Sequence, residues 1–268
     1  MQSPPRPASR LRARLTPILL ALLALWGAFT TSLVAHFILT ASTNPDEKAI
    51  IRMALCLIAV WCLAAGALML QFQNSFVAWV LSWKLPFGWR TRFVLLCILF
   101  ACLEEAVTTS LTNLAPWLGG ATDAARITAS KNYLEVILRH SVVAFIPLFI
   151  AWAWLLKRYD FTPAEVFLLF GLNGTLAETL SFGPQNLLGV GMWTFVYGWM
   201  VYLPARTVPP DRTARPARWY HALLAAFLPL VFVFPLALWL LAQCARFLVS
   251  QLPFASKRKE SLTINIHN

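Results

Sequence analysis

Charge is scarce in this sequence: Asp, Glu, Lys and Arg make up 12% of its 268 residues, about half the roughly 25% of an ordinary soluble domain. So few charges cannot cover a water-soluble globule of this length, which argues against a soluble enzyme. The richness in apolar residues argues equally against a disordered regulator. Cysteine is sparse as well. Cys56, Cys62, Cys97, Cys102 and Cys244 all lie within apolar runs, with no CxxC pair and no His at metal-ligand spacing. They read as small buried hydrophobes, which disfavours a disulfide framework or a zinc site. No metal site and no cofactor is expected. Acids are the rarest charges, 11 against 22 Lys and Arg, for a net charge of +11. In a soluble protein that excess would suggest a nucleic-acid partner. Here the cations fall between apolar runs, where they orient a chain in a bilayer and meet anionic headgroups. The expected partner is the lipid bilayer and not nucleic acid; the oligomeric state is not legible.

What the chain has in abundance is long apolar runs. The expected fold class is all-α, a polytopic transmembrane helix bundle of seven spans, with eight as the alternative. A basic N-terminal segment covers 1–14, a single transmembrane helical domain 15–252, and a polar basic tail 253–268. The first run, Leu15 to Leu39, exceeds the 7–15 apolar residues typical of a signal peptide and reads as an uncleaved span, with cleavage near Leu39-Thr40-Ala41 as the alternative. Further spans are expected over 49–72, 93–114, 133–156, from Pro163 to about Phe182, 187–203, and within 219–252. Phe76, Trp79, Val80 and Trp83 recur at helical spacing beside Lys84, so an interfacial helix is expected near residues 75–85. The basic stretches alternate: the N-terminus, 84–92, Lys157-Arg158 and 206–218. That pattern predicts a multi-pass inner-membrane protein with a cytoplasmic N-terminus.

An ionisable side chain deep in a span is costly, roughly 2.5–3.5 kcal/mol on insertion scales, and usually faces the bundle interior or a polar cavity. Glu104 and Glu105 are the foremost case. Adjacent carboxyls in a span cannot both be charged cheaply, and a pair sharing a proton suits general acid–base work on water. Thr109 and Asn113 continue the Glu105 stripe at i+4 and i+8, and Thr108 stands one turn from Glu104. His140, two turns into the fourth span, is a second candidate, against the plainer reading of a satisfied buried histidine. Asn173 and Glu178 in the fifth span are a third, against a packing role in which Gly171 and Gly174 bring helices close and Asn173 bonds across them. Glu104, Glu105, His140 and Asn173 are the expected catalytic set. Thr108, Thr109, Asn113 and Glu178 are the expected substrate-binding set. His36 and His221 are placed near the membrane interfaces.

The Glu104-Glu105 pair, with a histidine and an asparagine on later spans, resembles the glutamic-type intramembrane endopeptidases, the CAAX-prenyl-protease and bacteriocin-processing family. Thr109 stands where that family has Arg, and Val136 where it has Phe four residues before the histidine. A second alignment sets Leu168 to Gly174 on the histidine motif, with Gly174 in the histidine's place, and His221 on the following motif, with Ala225 in place of Asn. The resemblance implies a metal-independent membrane hydrolase, or an inactive relative, acting on a membrane-embedded peptide or lipidated substrate. Glu104 would be the general base, Glu105 its partner, His140 a water-orienting group and Asn173 an oxyanion donor. The rival readings are a small-solute or proton-coupled transporter and a non-catalytic membrane subunit.

Overall fold

The computed structural model describes residues 7–83 and 86–231. The chain is an all-α bundle whose helices run up and down between two ends: α1 (Pro7–Ala41), α2 (Pro45–Leu57), a π-helical stretch (Ile58–Ala65), α3 (Gly66–Ser82), α4 (Trp89–Asn113), α5 (Tyr133–Arg139), α6 (Ser141–Arg158), α7 (Pro163–Phe182) and α8 (Val190–Arg206). A further helix, α9 (Trp219–Val231), follows. Among the described residues, five helical stretches are long and apolar enough to cross a membrane, which is the architecture of a membrane protein. The expected seven spans resolve into those five, α7 as a sixth helix carrying Glu165, Asn173 and Glu178, and the start of a seventh in α9. The rest of the last run, the eight-span alternative and the tail 253–268 lie outside the described residues. α1 begins at Pro7, within the expected N-terminal segment 1–14.

Two further expectations are corrected. Residues 75–82 do not form an interfacial helix of their own. They complete one continuous helix, Pro45–Ser82, because no Pro or Gly interrupts the chain there and the π-helical stretch absorbs the mismatch without a break. The fourth span is divided instead. His140, at φ −126° and ψ −103°, ends α5 and precedes α6.

Local chemistry fixes the helix ends. Asn44 caps α2, its side chain accepting from the Asp46 N–H at 2.9 Å, and Pro45 occupies the first turn. Thr162 and Glu165 form a reciprocal capping box at the start of α7, with N–H···O distances of 3.2 and 2.8 Å. At its other end α7 stops on Gly183, whose φ of +107° suits glycine alone, followed by Pro184 and a 3-10 turn, Pro184–Gly189.

The two ends of the bundle differ in chemistry. One gathers arginines bonded to other helices: Arg12 to Glu165 at 3.5 Å, Arg92 to the Thr207 carbonyl at 3.2 Å, and Arg206 to Asn74 at 3.1 Å. There Arg212 also binds Asp160 and the Leu156 carbonyl, both at 2.8 Å, beside a parallel bridge of β1 (Tyr159–Asp160) and β2 (Arg215–Pro216). The other end is roofed by the 114–132 loop. Asp46 is its anchor, accepting from the Ala121 N–H (2.6 Å), the Thr122 N–H (3.0 Å) and the Thr122 hydroxyl. Arg52 donates to the Leu118 carbonyl at 2.7 Å.

Removing the anchor should loosen that roof. Asp46→Ala leaves three donors without their acceptor, at about 1–3 kcal/mol for each one that stays buried. Trypsin cleavage after Arg126 and Lys131 is expected to speed up by about tenfold, since cleavage follows local opening. An unchanged digestion rate would show that the roof is held by other contacts.

Candidate active site

Glu104 and Glu105 sit about two thirds of the way along α4, towards the roofed end. Both are buried, at 5% and 6% exposure. Their settings differ. The Glu105 carboxyl accepts from the Thr108 hydroxyl at 3.1 Å, and the Ser141 side chain at the head of α6 also faces it. Glu104 has no hydrogen-bond donor among the described residues. Across the bundle Glu178 of α7 accepts a hydrogen bond from the Tyr197 hydroxyl of α8. The carboxyls of Glu104, Glu105 and Glu178 lie within electrostatic range of one another, and the Tyr197 hydroxyl is in range of all three. Two helices, α4 and α7, thus bring the three acids together, and α6 and α8 add Ser141 and Tyr197 beside them.

Glycine makes this arrangement reachable. A Cβ at Gly174 would collide with the Tyr197 ring, and one at Gly171 would meet the Thr194 backbone at 2.5 Å. Only bare backbone at these two positions lets α7 and α8 close far enough for Tyr197 to reach Glu178 one turn along. Phe145 of α6 meets the Tyr197 ring edge-on at 5.5 Å, which holds the phenol in place from the third side.

The remaining expected residues divide. Thr108 belongs to the site through its bond to Glu105. Thr109, 3% exposed, has a hydroxyl with no partner among the described residues, one turn beyond Glu105. Glu178 is placed as a third carboxyl. Asn113 is exposed and ties α4 to the roof, donating to the Lys131 carbonyl at 3.0 Å and to the Thr109 carbonyl at 3.0 Å. Its amide N–H groups thereby serve as a loop anchor.

Asn173 is not a free oxyanion donor. It is fully buried, its Oδ1 accepts from the Trp152 indole N–H at 2.8 Å, and its Nδ2 donates to the Ala225 (3.1 Å) and Ala226 (2.5 Å) carbonyls. Every strong bonding position it has is committed to holding α6, α7 and α9 together. His140 is exposed at the rim, with Nε2 3.9 Å from Glu135 and its ring within electrostatic range of Glu105. Its backbone matters more than its ring. The break there leaves the first-turn N–H groups of α6 without intrahelical acceptors at the end where Ser141 faces Glu105, the first intrahelical bond being Ala144 N–H to the His140 carbonyl at 3.3 Å.

Tyr197 and Ser141 escape a reading of the sequence. Tyr197 has a visible signal, a phenol within an apolar span beside Gly198, but its partner lies on another helix. Ser141 has none, because its role depends on the break at His140. His221 stacks on Tyr159 at 3.9 Å between ring centres, at the arginine-rich end and away from the acids. Among the described residues no three His, Cys, Asp or Glu side chains converge as a metal site. No family model matches the chain, and no curated protein or solved structure matches it.

Proposed function

We propose that the chain is a multi-pass membrane hydrolase with a cytoplasmic N-terminus, using Glu105 and Glu104 as base and acid on water. Its substrate is a membrane-embedded peptide or a lipidated chain. The observation that carries this reading is the unequal setting of two adjacent carboxyls. Glu105 is oriented by hydroxyl groups, whereas Glu104 is buried without a donor among the described residues. Environments that separate two carboxyls in this way divide the acid and base roles between them. Glu105 takes a proton from water as it attacks the carbonyl carbon, and Glu104 gives one to the leaving group. The N–H groups of the first turn of α6 supply the oxyanion donors, a part that Asn173 cannot take. This is the class of chemistry implied by the resemblance to glutamic-type intramembrane endopeptidases, with the base role passed from Glu104 to Glu105 and the oxyanion donor moved from a side chain to backbone. The cytoplasmic N-terminus is supported by the clustering of Arg12, Arg92, Lys157, Arg158, Arg206 and Arg212 at one end.

The test is reconstitution of the full chain in liposomes with a set of transmembrane and lipidated peptides, with products read by mass spectrometry. Cleavage that disappears in Glu105→Gln is the expected result. Cleavage indifferent to Glu105, or none with any peptide, would overturn the reading. The Glu178–Tyr197 bond favours one alternative, a proton-coupled carrier, because it adds a third carboxyl to the cluster. Proton flux into the same liposomes, lost in Glu178→Gln and unaccompanied by cleavage, would replace hydrolysis with transport.

A further inference from the structure

The arginine-rich end holds two kinds of cation. Arg12, Arg92, Arg206 and Arg212 are bonded to acceptors on other elements, as described above. Arg90, Lys157, Arg158 and Arg215 are not: among the described residues none has a carboxylate partner. These four converge on one cleft of about 320 Å³, whose walls include Trp154 and Tyr159 and no acid. Asp160, next to Tyr159 in sequence, is engaged by Arg212 at 2.8 Å.

The cleft is built, not incidental. The Arg158 guanidinium lies 3.9 Å over the Trp154 ring, which fixes its plane and leaves its N–H edge free. The bridge between Tyr159 and Arg215 pins the second arginine beside the first. Arg90, at the head of α4, lines the cleft as well. Four unopposed positive charges in so small a space repel one another, and an anion is what relieves that repulsion. The surroundings are also apolar on one side. Ile150 and Trp154 stand at i and i+4 on α6, both exposed, at 55% and 40%, and form a strip leading out of the cleft along the helix.

We propose that this cleft binds the phosphate group of an anionic amphiphile, with its acyl chain along Ile150 and Trp154. Paired guanidiniums suit phosphate oxygens through bidentate bonds, and basic pockets between transmembrane helices suit anionic headgroups. The site is separate from the carboxyl cluster and does not depend on its activity.

The full chain in detergent micelles is titrated with phosphatidylglycerol, phosphatidylcholine and inorganic phosphate, with binding read by native mass spectrometry. Phosphatidylglycerol is expected to bind at least tenfold more tightly than phosphatidylcholine. The double variant Arg158→Gln/Arg215→Gln is expected to lose about thirtyfold in affinity, from two cations removed at the membrane surface. Arg218→Gln, at the same end but outside the cleft, should leave binding unchanged. Inorganic phosphate displacing the lipid at comparable concentration would identify the ligand as a free phosphate held by the same groups. Failure to displace it would identify the lipid headgroup. Equal binding of the two lipids, or an undiminished affinity in a double variant that melts like the parent, would overturn the proposal. Should the double variant melt early, the lipid preference of the unaltered chain decides the matter.

Discussion

On the proposed hydrolysis, Glu105→Gln is expected to lower the rate by about 10²–10⁴-fold, the usual contribution of a positioned general base, while the chain remains in the membrane at its normal level. The amide keeps the shape of the side chain and still accepts from Thr108, so packing is preserved and only the proton acceptor is lost. Glu104→Gln is expected to reduce turnover as well, by removing the proton donor. The contrast with His140 is the informative part. His140→Ala should cost no more than about tenfold, because the ring is exposed and lies 3.9 Å from Glu135 without closer engagement. His140→Pro would disturb the backbone that sets the α6 N–H groups. A loss in His140→Ala as large as that in Glu105→Gln would return the imidazole to the catalytic set. Rates are measured on reconstituted protein, with membrane-inserted protein quantified alongside.

Asn173→Leu is expected to do the reverse, unfolding the bundle earlier without touching the chemistry. Leucine fills the same space but leaves the Trp152 indole N–H, now donating at 2.8 Å, with no acceptor in a fully buried position. An orphaned buried donor costs about 1–3 kcal/mol. Interhelical bonds within membranes average less, about 0.6 kcal/mol with a maximum near 1.7. The Ala226 carbonyl can still accept from the Leu230 N–H within α9, whereas the Ala225 carbonyl loses its partner because Pro229 at i+4 has no N–H; with the indole, about 2 kcal/mol is the expected sum. Thermal unfolding in detergent should fall by several degrees. Turnover per folded molecule should stay within about threefold. A hundredfold fall in turnover at unchanged melting temperature would place Asn173 in the site after all.

The helices themselves were legible because their causes are local. Pro163 at a first turn, Thr162 with Glu165 three residues on, and Gly183-Pro184 as a stop each act over a few residues, and each marks an observed boundary. Glu104, Glu105 and Thr108 were also legible, because burying acids in an apolar run needs a reason and helical spacing shows which faces they share. What was hidden depends on contacts far apart in the chain. Asn173 and Glu178 look alike as polar residues on one span, yet one turns to Trp152 and α9 while the other turns to Tyr197. Helical periodicity places a side chain on a face but does not say what stands opposite. Asp46 looks like an ordinary first-turn acid. Its bonds to Ala121 and Thr122, 75 and 76 residues away, arise only once α2 and the roof loop meet.

The turn after α7 bears on the shape of the surrounding lipid. Phe182 and Leu188 are exposed there, at 70% and 61%, yet the polar backbone is tied inward, with the Leu188 carbonyl taken by the Trp26 indole N–H at 3.0 Å. Such a turn is fit to sit in hydrocarbon. It lies beside Gly27, which meets Gly191 just past the turn, while α1 runs on to Ala41 with Phe29, Leu33 and Phe37 exposed. With 20 residues α7 spans about 30 Å, and the 28-residue apolar stretch of α1, Arg14–Ala41, spans about 42 Å. The two flanks of one molecule therefore ask for different bilayer thicknesses. A long stretch answers such a mismatch by tilting and a short one by local thinning of the bilayer, so the lipid is expected to differ on the two sides of this molecule.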